Sequence, residues 1–236
     1  QAFTLVEMLL VLVILATLAA IVYPKVVGRG EQARVTAAQT QIAAFKKDGV
    51  EVITGVVIPP DAKTFLTQAR QQGFKPKVIT LGKALLFPGA IEALGDLGYG
   101  LTSEVWWSPS HPFTSSLTKQ SAKALAEAYE AGAKKQWTQP IGFAHALFEV
   151  AADALKRAKS LKAADVRDAV AQSNLSTVVG PVKWGGAGPF KNVSKTPLVL
   201  GQWVKAPAGS KNKVELVIVN NETAKNIPTG GSLKTI

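Results

Sequence analysis

VEVITGVVIPPDAKTFLTQARQQGFKPKVITLG, residues 50–82, decides how the body of this chain folds. VEVITGVV (50–57) is a short run of β-branched residues that reads as a buried strand, and the breaker Pro59-Pro60 closes it. DAKTFLTQARQQG (61–73) then reads as a helix. Asp61 stands at its N-cap, Phe65, Leu66 and Ala69 share one side, and Gly73 stops it. KVITLG (77–82) is a second short strand.

Working outward toward the C-terminus, a helix of about ten residues is expected around Ala90-Ile91-Glu92-Ala93-Leu94, and LTSEVWW (101–107) is strand-like. This β-α-β-α-β rhythm implies parallel strands joined by right-handed crossovers. Ligands in such sheets sit outside the carboxyl ends of the strands, here residues 57–61, 82–85 and 107–111. Two longer helices follow, 116–131 and 141–158. The second carries Phe143, Leu147, Val150/Ala151 and Ala154/Leu155 as an expected core stripe. A shorter helix spans 163–172. VVGPVKW, TPLVLGQWVK and KVELVIVN then read as strands separated by Gly/Pro-rich turns, and the polar tail NNETAKNIPTGGSLKTI is expected to wrap the surface.

Toward the N-terminus the character changes. From Met8 to Tyr23 the only non-apolar side chain is Thr17, and counting back to Ala2 the run reaches bilayer-spanning length. A transmembrane helix is therefore expected. Glu7 interrupts this run, although an acid in hydrocarbon costs about 3 kcal/mol on insertion scales for the closely related Asp. It needs a partner. Pro24 removes an amide donor and is expected to kink or end a turn there, with Gly28 and Gly30 weakening the link to the amphipathic stretch that continues to Lys47. Lys25, Arg29 and Arg34 follow the apolar run, so charge bias alone would put its C-terminal side in the cytoplasm.

Composition excludes several chemistries. The 236 residues contain no cysteine, which removes disulfides, thiolate nucleophiles and cysteine zinc sites. His111 and His145 lack metal-ligand spacing, and no metal is expected. The net charge of +11 is scattered, without basic runs interleaved with stacking aromatics, and reads as a solvated basic surface rather than a nucleic-acid site. No nucleophile elbow, phosphate loop, dinucleotide fingerprint or paired-carboxylate arrangement occurs, so neither an enzyme nor a cofactor is expected.

FTLVEMLLVLVILATLAAIVYPKVVGR, from Phe3, resembles the N-terminal methylation segment of type IV pilins and is most similar to the major pseudopilin of type II secretion systems. The resemblance implies cleavage before Phe3, methylation of the new amine, and pairing of Glu7 with the terminal amine of a neighbouring subunit. Pro24 matches the proline that ends the buried stretch. Residues from about 41 onward resemble the periplasmic solute-binding proteins of branched-chain amino-acid and amide ABC transporters. The segments that carry this are QIAAFKKDGVEVITGVVIPPDAKTFLTQARQQGFKPKV, EVWWSPSHPF, QPIGFAHALFEVAADALKRA, VRDAVAQSNLSTVVGPVKW and LGQWV…VELVIVNN.

Together the resemblances imply an α/β chain in two parts. Residues 1–47 form a pilin-like transmembrane and amphipathic helix. Residues 48–236 form an incomplete type I periplasmic-binding-protein-like domain: the second lobe, the crossover segments and a β-rich C-terminal segment, with the first lobe largely missing. They imply a membrane-anchored body in the periplasm or outside the cell that binds a small, amino-acid-like solute for an ABC permease. The alternative is a pilin or pseudopilin subunit that self-assembles and carries a binding-protein-derived head. The loops implied to meet the solute hold Ile58, Pro60 and Asp61, then Lys83 and Ala84. Ile58 and Ala84 stand where some relatives place Tyr and Glu. Trp106 and Trp107 fall in the implied crossover between lobes. Consecutive strand residues face opposite sides, so one of them is expected in the core and the other toward the ligand.

Overall fold

The computed structural model describes residues 5–185 and 188–236, and the chain divides into two compact units. The first holds residues 1–50 and 63–75, the second residues 51–62 and 76–236.

In the first unit, helix α1 (Leu5–Lys47) runs for 43 residues without a break. The backbone stays helical through Pro24, Gly28 and Gly30, so none of the three ends the helix. It stops at Asp48-Gly49, where Gly49 takes φ +65° and the Val50 N–H closes back onto the Phe45 carbonyl. Near this end Ile42 is fully buried, Phe45 and Phe74 meet with ring centroids 6.3 Å apart, and Lys46 Nζ donates to the Gln72 carbonyl at 2.8 Å. Gln39 Nε2 donates to Gln68 Oε1 at 2.9 Å. At the other end Val6, residues 8–15 and Leu18 leave their apolar side chains exposed, as is Glu7 in the first turn. Among the described residues no helix is long and apolar enough to cross a membrane. Phe3 lies outside the described residues, and of Pro24 only the backbone is described.

The second unit is built on a five-stranded sheet in the order β1-β2-β3-β6-β7. Strands β1 (Val52–Val57), β2 (Val78–Lys83) and β3 (Thr102–Val105) are parallel, as their alternation with helices α2 (Pro59–Gln71) and α3 (Pro88–Leu94) requires. β1 is an edge strand. Val52 and Val56 are 59% and 77% exposed, which corrects the expected burial of this run: branched residues favour the pleat whether or not both faces are covered. Thr80 and Thr102 join side chains across the single β2–β3 register pair.

Helices α4 (Ala122–Ala133), α5 (Gln139–Arg157) and α6 (Ala163–Ala171) follow. α4 starts six residues later than the sequence suggests, because Ser121 caps it by accepting the Ala124 N–H at 3.1 Å. Residues 115–118 instead form a tight turn on the Ser115 hydroxyl. The expected core stripe of α5 holds in part: Ala154 is buried and Phe143 packs against the Trp107 cluster, whereas Leu147, Ala151 and Leu155 are exposed and Gln139, Gly142, Ala146 and Glu149 are the other buried positions. The strand expected at 178–184 is β5 (Gly180–Lys183), which Val178-Val179 link in a hairpin to an additional strand before it, β4 (Asn174–Thr177). Strands β6 (Val199–Lys205) and β7 (Val214–Asn220) complete the main sheet in antiparallel fashion.

Trp107, Ala122, Ala126, Ala146, Val178 and Val179 form one buried apolar cluster, and Val105, Val199, Ile218, Ala224 and Ile227 form another. The C-terminal tail is pinned rather than loose. Gln202 Nε2 donates to the Lys234 carbonyl at 2.7 Å and Gln202 Oε1 accepts the Lys234 N–H at 3.0 Å. Ile227 is fully buried, and the Ile236 N–H reaches the Lys77 carbonyl.

Candidate functional site

The carboxyl ends of β1, β2 and β3 are shaped by three local devices. After β1, Ile58 leads into Pro59 and Pro60, which open α2 where their missing N–H groups cost nothing. Asp61 lies in the first turn of the helix, where its charge favours the dipole. Ile58 and Pro60 are exposed and Asp61 is half-buried.

After β2, Lys83 adopts φ +63°, and the Ala84 N–H bonds the Gly82 carbonyl two residues back at 2.7 Å. This is a γ-turn about a left-handed lysine, a strained arrangement of the kind found where loops serve ligands. It is held by Glu104, whose Oε1 accepts the Lys83 N–H at 3.2 Å. A Cβ at Gly82 would come within 3.1 Å of the same carboxylate, so any larger residue there would push Glu104 aside by a few tenths of an ångström. Farther along the loop, the buried Trp203 donates Nε1–H to the Leu85 carbonyl at 2.8 Å. The Lys83 side chain is exposed, while Ala84 is fully buried and offers no surface to a ligand.

After β3, the Trp106 N–H donates to Gln139 Oε1 at 2.7 Å, and Gln139 Nε2 donates to the Glu104 carbonyl at 3.0 Å. One buried amide thus ties the end of β3 to the start of α5. Trp106 is half-buried and meets Phe143 edge-on with centroids 6.0 Å apart. Trp107 points the other way, is fully buried, and packs edge-on against Trp137. It is a core residue with no face for a solute. Of the residues singled out from the sequence, Ile58, Pro60, Asp61, Lys83 and Trp106 reach the surface at these strand ends, and Ala84 and Trp107 do not.

Two serine–histidine contacts went unread in the sequence. Ser115 Oγ accepts the N–H groups of Leu117 and Thr118, so its own proton is directed to His145 Nε2, 2.8 Å away. Ser108 donates its N–H to His111 Nδ1 at 3.1 Å, with its hydroxyl 2.9 Å from the same nitrogen. Burial pushes His111 down to about 4. Both serines are buried and engaged in turns, which is structural work rather than nucleophile activation. Glu149, also buried, accepts the Ser116 N–H, the Ser116 hydroxyl and the Val178 N–H, and so ties α5 to the β4–β5 hairpin. Among the described residues no group of three or more His, Asp or Glu could hold a metal ion.

A separate cleft of about 820 Å³ opens in the second unit, lined by Phe87, Glu92, Tyr129, Glu130, Lys134 and Lys211 among others. None of the sequence-derived site residues lines it. Lys211 pairs with Glu130 at 2.5 Å, and that hydrogen bond and charge hold its ammonium above the usual lysine range; Lys213 pairs with Glu92 at 3.3 Å. Its carboxylates are thus engaged by the chain's own lysines.

The chain matches the periplasmic binding protein family over residues 20–208, and belongs to that family. Residues 1–23 match the prokaryotic N-terminal methylation motif. No curated protein matches. Solved structures share the fold of the body. A leucine-binding protein from Thermotoga maritima is 20% identical, with a TM-score of 0.60 over 78% of this chain and 48% of its own. A leucine-, isoleucine-, valine-, threonine- and alanine-binding protein from Brucella ovis in a closed conformation is 15% identical, with a TM-score of 0.64 over 83% of this chain and 49% of its own. An ABC-transporter solute-binding protein from R. palustris in complex with benzoate is 14% identical, with a TM-score of 0.53 over 78% and 48%. The chain spans about half the length of these structures. They are solute-binding proteins, and the family together with the methylation motif fits an extracytoplasmic, membrane-associated protein.

Proposed function

We propose that this chain is the extracytoplasmic, non-enzymatic solute-binding component of an ABC uptake system. Residues 1–47 anchor it in the inner membrane, and residues 48–236 take up an amino acid, an amide or a related small organic solute for a permease. The observation that carries this reading is the family match over residues 20–208, joined to an α/β sheet whose parallel strands end in one exposed rim. At that rim Ile58, Pro60 and Asp61 supply one wall, the strained Lys83 turn a second, and Trp106 a flat apolar face on which an aliphatic or aromatic side chain would stack. The anchor is supported by the apolar run 8–23 and the methylation motif.

The test is a thermal-shift panel on the full chain in detergent micelles, using leucine, threonine, alanine, acetamide and benzoate. Binding to the native state alone raises stability by about 2.7 kcal/mol at 100-fold excess over Kd, roughly 5–10 °C for a chain of this size. At least one solute is expected to give such a saturable rise. A flat panel, with filaments of the full chain visible by electron microscopy, would move the weight to the second reading. In that reading the chain is a pilin or pseudopilin subunit, favoured by the methylation motif and by the exposed apolar residues around Glu7.

A further inference from the structure

Between Ala169 and Val214 the chain holds six lysines and no Asp or Glu. Two of them, Lys211 and Lys213, pair with Glu130 and Glu92. Lys183, Lys191 and Lys195 are exposed, and among the described residues none of the three has a carboxylate partner. They stand at the end of β5 and on the loop that follows it, and hydrogen bonds bring these stretches together. The Lys183 N–H donates to Ser194 Oγ at 3.1 Å, the Gly185 N–H to the Lys191 carbonyl at 3.2 Å, and the Val193 N–H to the Phe190 carbonyl at 3.0 Å. Lys183, Trp184, Phe190, Val193 and Lys195 thereby line one open cleft of about 460 Å³. Phe190 is 66% and Val193 52% exposed. The result is an apolar centre with an unneutralised cationic rim.

We propose that this loop is a contact face for the anionic headgroup surface of a membrane, with Phe190 and Val193 entering the interfacial zone and the three ammonium groups meeting lipid phosphates. Charge selects the occupant. Unpaired lysines gain most from a surface of fixed negative charge, at roughly fivefold in partitioning for each one near it. An aromatic ring and an aliphatic side chain settle at the boundary of headgroups and acyl chains, while lysine stems lie along the apolar zone and keep their charge among the headgroups. The family and the methylation motif fit a membrane-associated chain, so such a surface is within reach. Three lysines are few for capture from free solution, but a membrane-associated chain meets the surface at high effective concentration. The exposed leucines of α5 lack this complement: around Leu147, residues 136–155 contain no Lys or Arg and two acids, Glu149 and Asp153. The inference rests on membrane association and is independent of the solute read for the rim.

The chain has no cysteine, so one introduced residue carries a probe cleanly. Val193→Cys and, as control, Leu147→Cys replace exposed side chains, so both variants retain the fold. Each full chain is labelled with bimane and held in nanodiscs of phosphatidylcholine with or without phosphatidylglycerol, part of the lipid carrying a nitroxide quencher just below the headgroup. Strong quenching is expected at 193 only where phosphatidylglycerol is present. Little is expected at 147, although Leu147 is 70% exposed and Val193 52%. Adding Lys191→Gln and Lys195→Gln to Val193→Cys should lower the ratio of quenched to unquenched probe about 25-fold, roughly fivefold for each lysine. Co-elution of the labelled chains with the discs reports the anchor and quenching at 193 reports the loop, so the two fail separately. No quenching at 193, equal quenching at 193 and 147, or quenching at 193 indifferent to phosphatidylglycerol or to the two glutamines overturns the proposal.

Discussion

Gly142→Ala is expected to destabilise the second unit by about 3 kcal/mol or more, at the upper end for overpacking. A Cβ at that position would stand 2.2 Å from Trp107 Cγ and 2.3 and 2.6 Å from two further ring atoms. The ring has nowhere to go. Trp107 is fully buried, crossed edge-on by Trp137, and packed among Ala122, Ala126, Ala146, Val178 and Val179. Helix propensity acts in the opposite sense: alanine inside a helix gains about 1 kcal/mol over glycine, so the steric cost must exceed the net loss. Gly132→Ala in α4 is the control. Nothing lies within 4 Å of its added Cβ, and it should stabilise by roughly 0.5–1 kcal/mol. Urea titrations followed by tryptophan fluorescence compare the two. Equal midpoints for Gly142→Ala and the parent chain would mean that α5 does not lie against Trp107.

The second large effect is one of pH. His111 is buried, its Nδ1 accepts the Ser108 N–H, and its Nε2 has no partner among the described residues. The ring is thus held neutral, and burial lowers its pKa from 6.5 in the unfolded chain to about 4. A depressed histidine pKa means that the unfolded state takes up protons first as the pH falls. The stabilisation is fully present above about 6.5, is lost progressively from there down to about 4, and stays lost below. The loss over that window is about 3 kcal/mol from this one group. His111→Asn keeps an acceptor near the Nδ1 position and cannot titrate. Its stability is expected to lack that 3 kcal/mol fall between pH 6.5 and 4, measured as the difference from the parent chain in urea titrations at each pH. Parallel curves for the two chains would remove His111 as the source.

The parallel half of the sheet was legible because its signals are local: branched runs, helical spacing and Gly/Pro punctuation at 57–61 and 73 each speak within a few residues. The tryptophan pair was legible in part. Strand alternation separates Trp106 from Trp107, and the structure puts Trp107 in the core. What failed has physical causes. Periodicity shows that a face is apolar and cannot say how much of it is covered, hence the exposure of Leu147, Ala151 and Leu155 beside the buried Ala154 on α5. The polar ties escaped because their partners are remote: Gln139 reaches the Glu104 carbonyl 35 residues away, and Glu149 reaches Ser116 at a separation of 33. The γ-turn at Lys83 left no trace, since lysine is not a residue that announces a positive φ.

The central claim is that the rim formed by the ends of β1, β2 and β3 is where the solute sits. Amide hydrogen exchange on the full chain, with and without a saturating amount of the panel solute giving the largest thermal rise, addresses it most directly. Slowed exchange is expected in segments 57–62, 82–86 and 104–108, with segments 127–138 and 209–214 around the lysine-lined cleft unchanged. Protection confined to that cleft, with the three strand ends unaltered, would contradict the account.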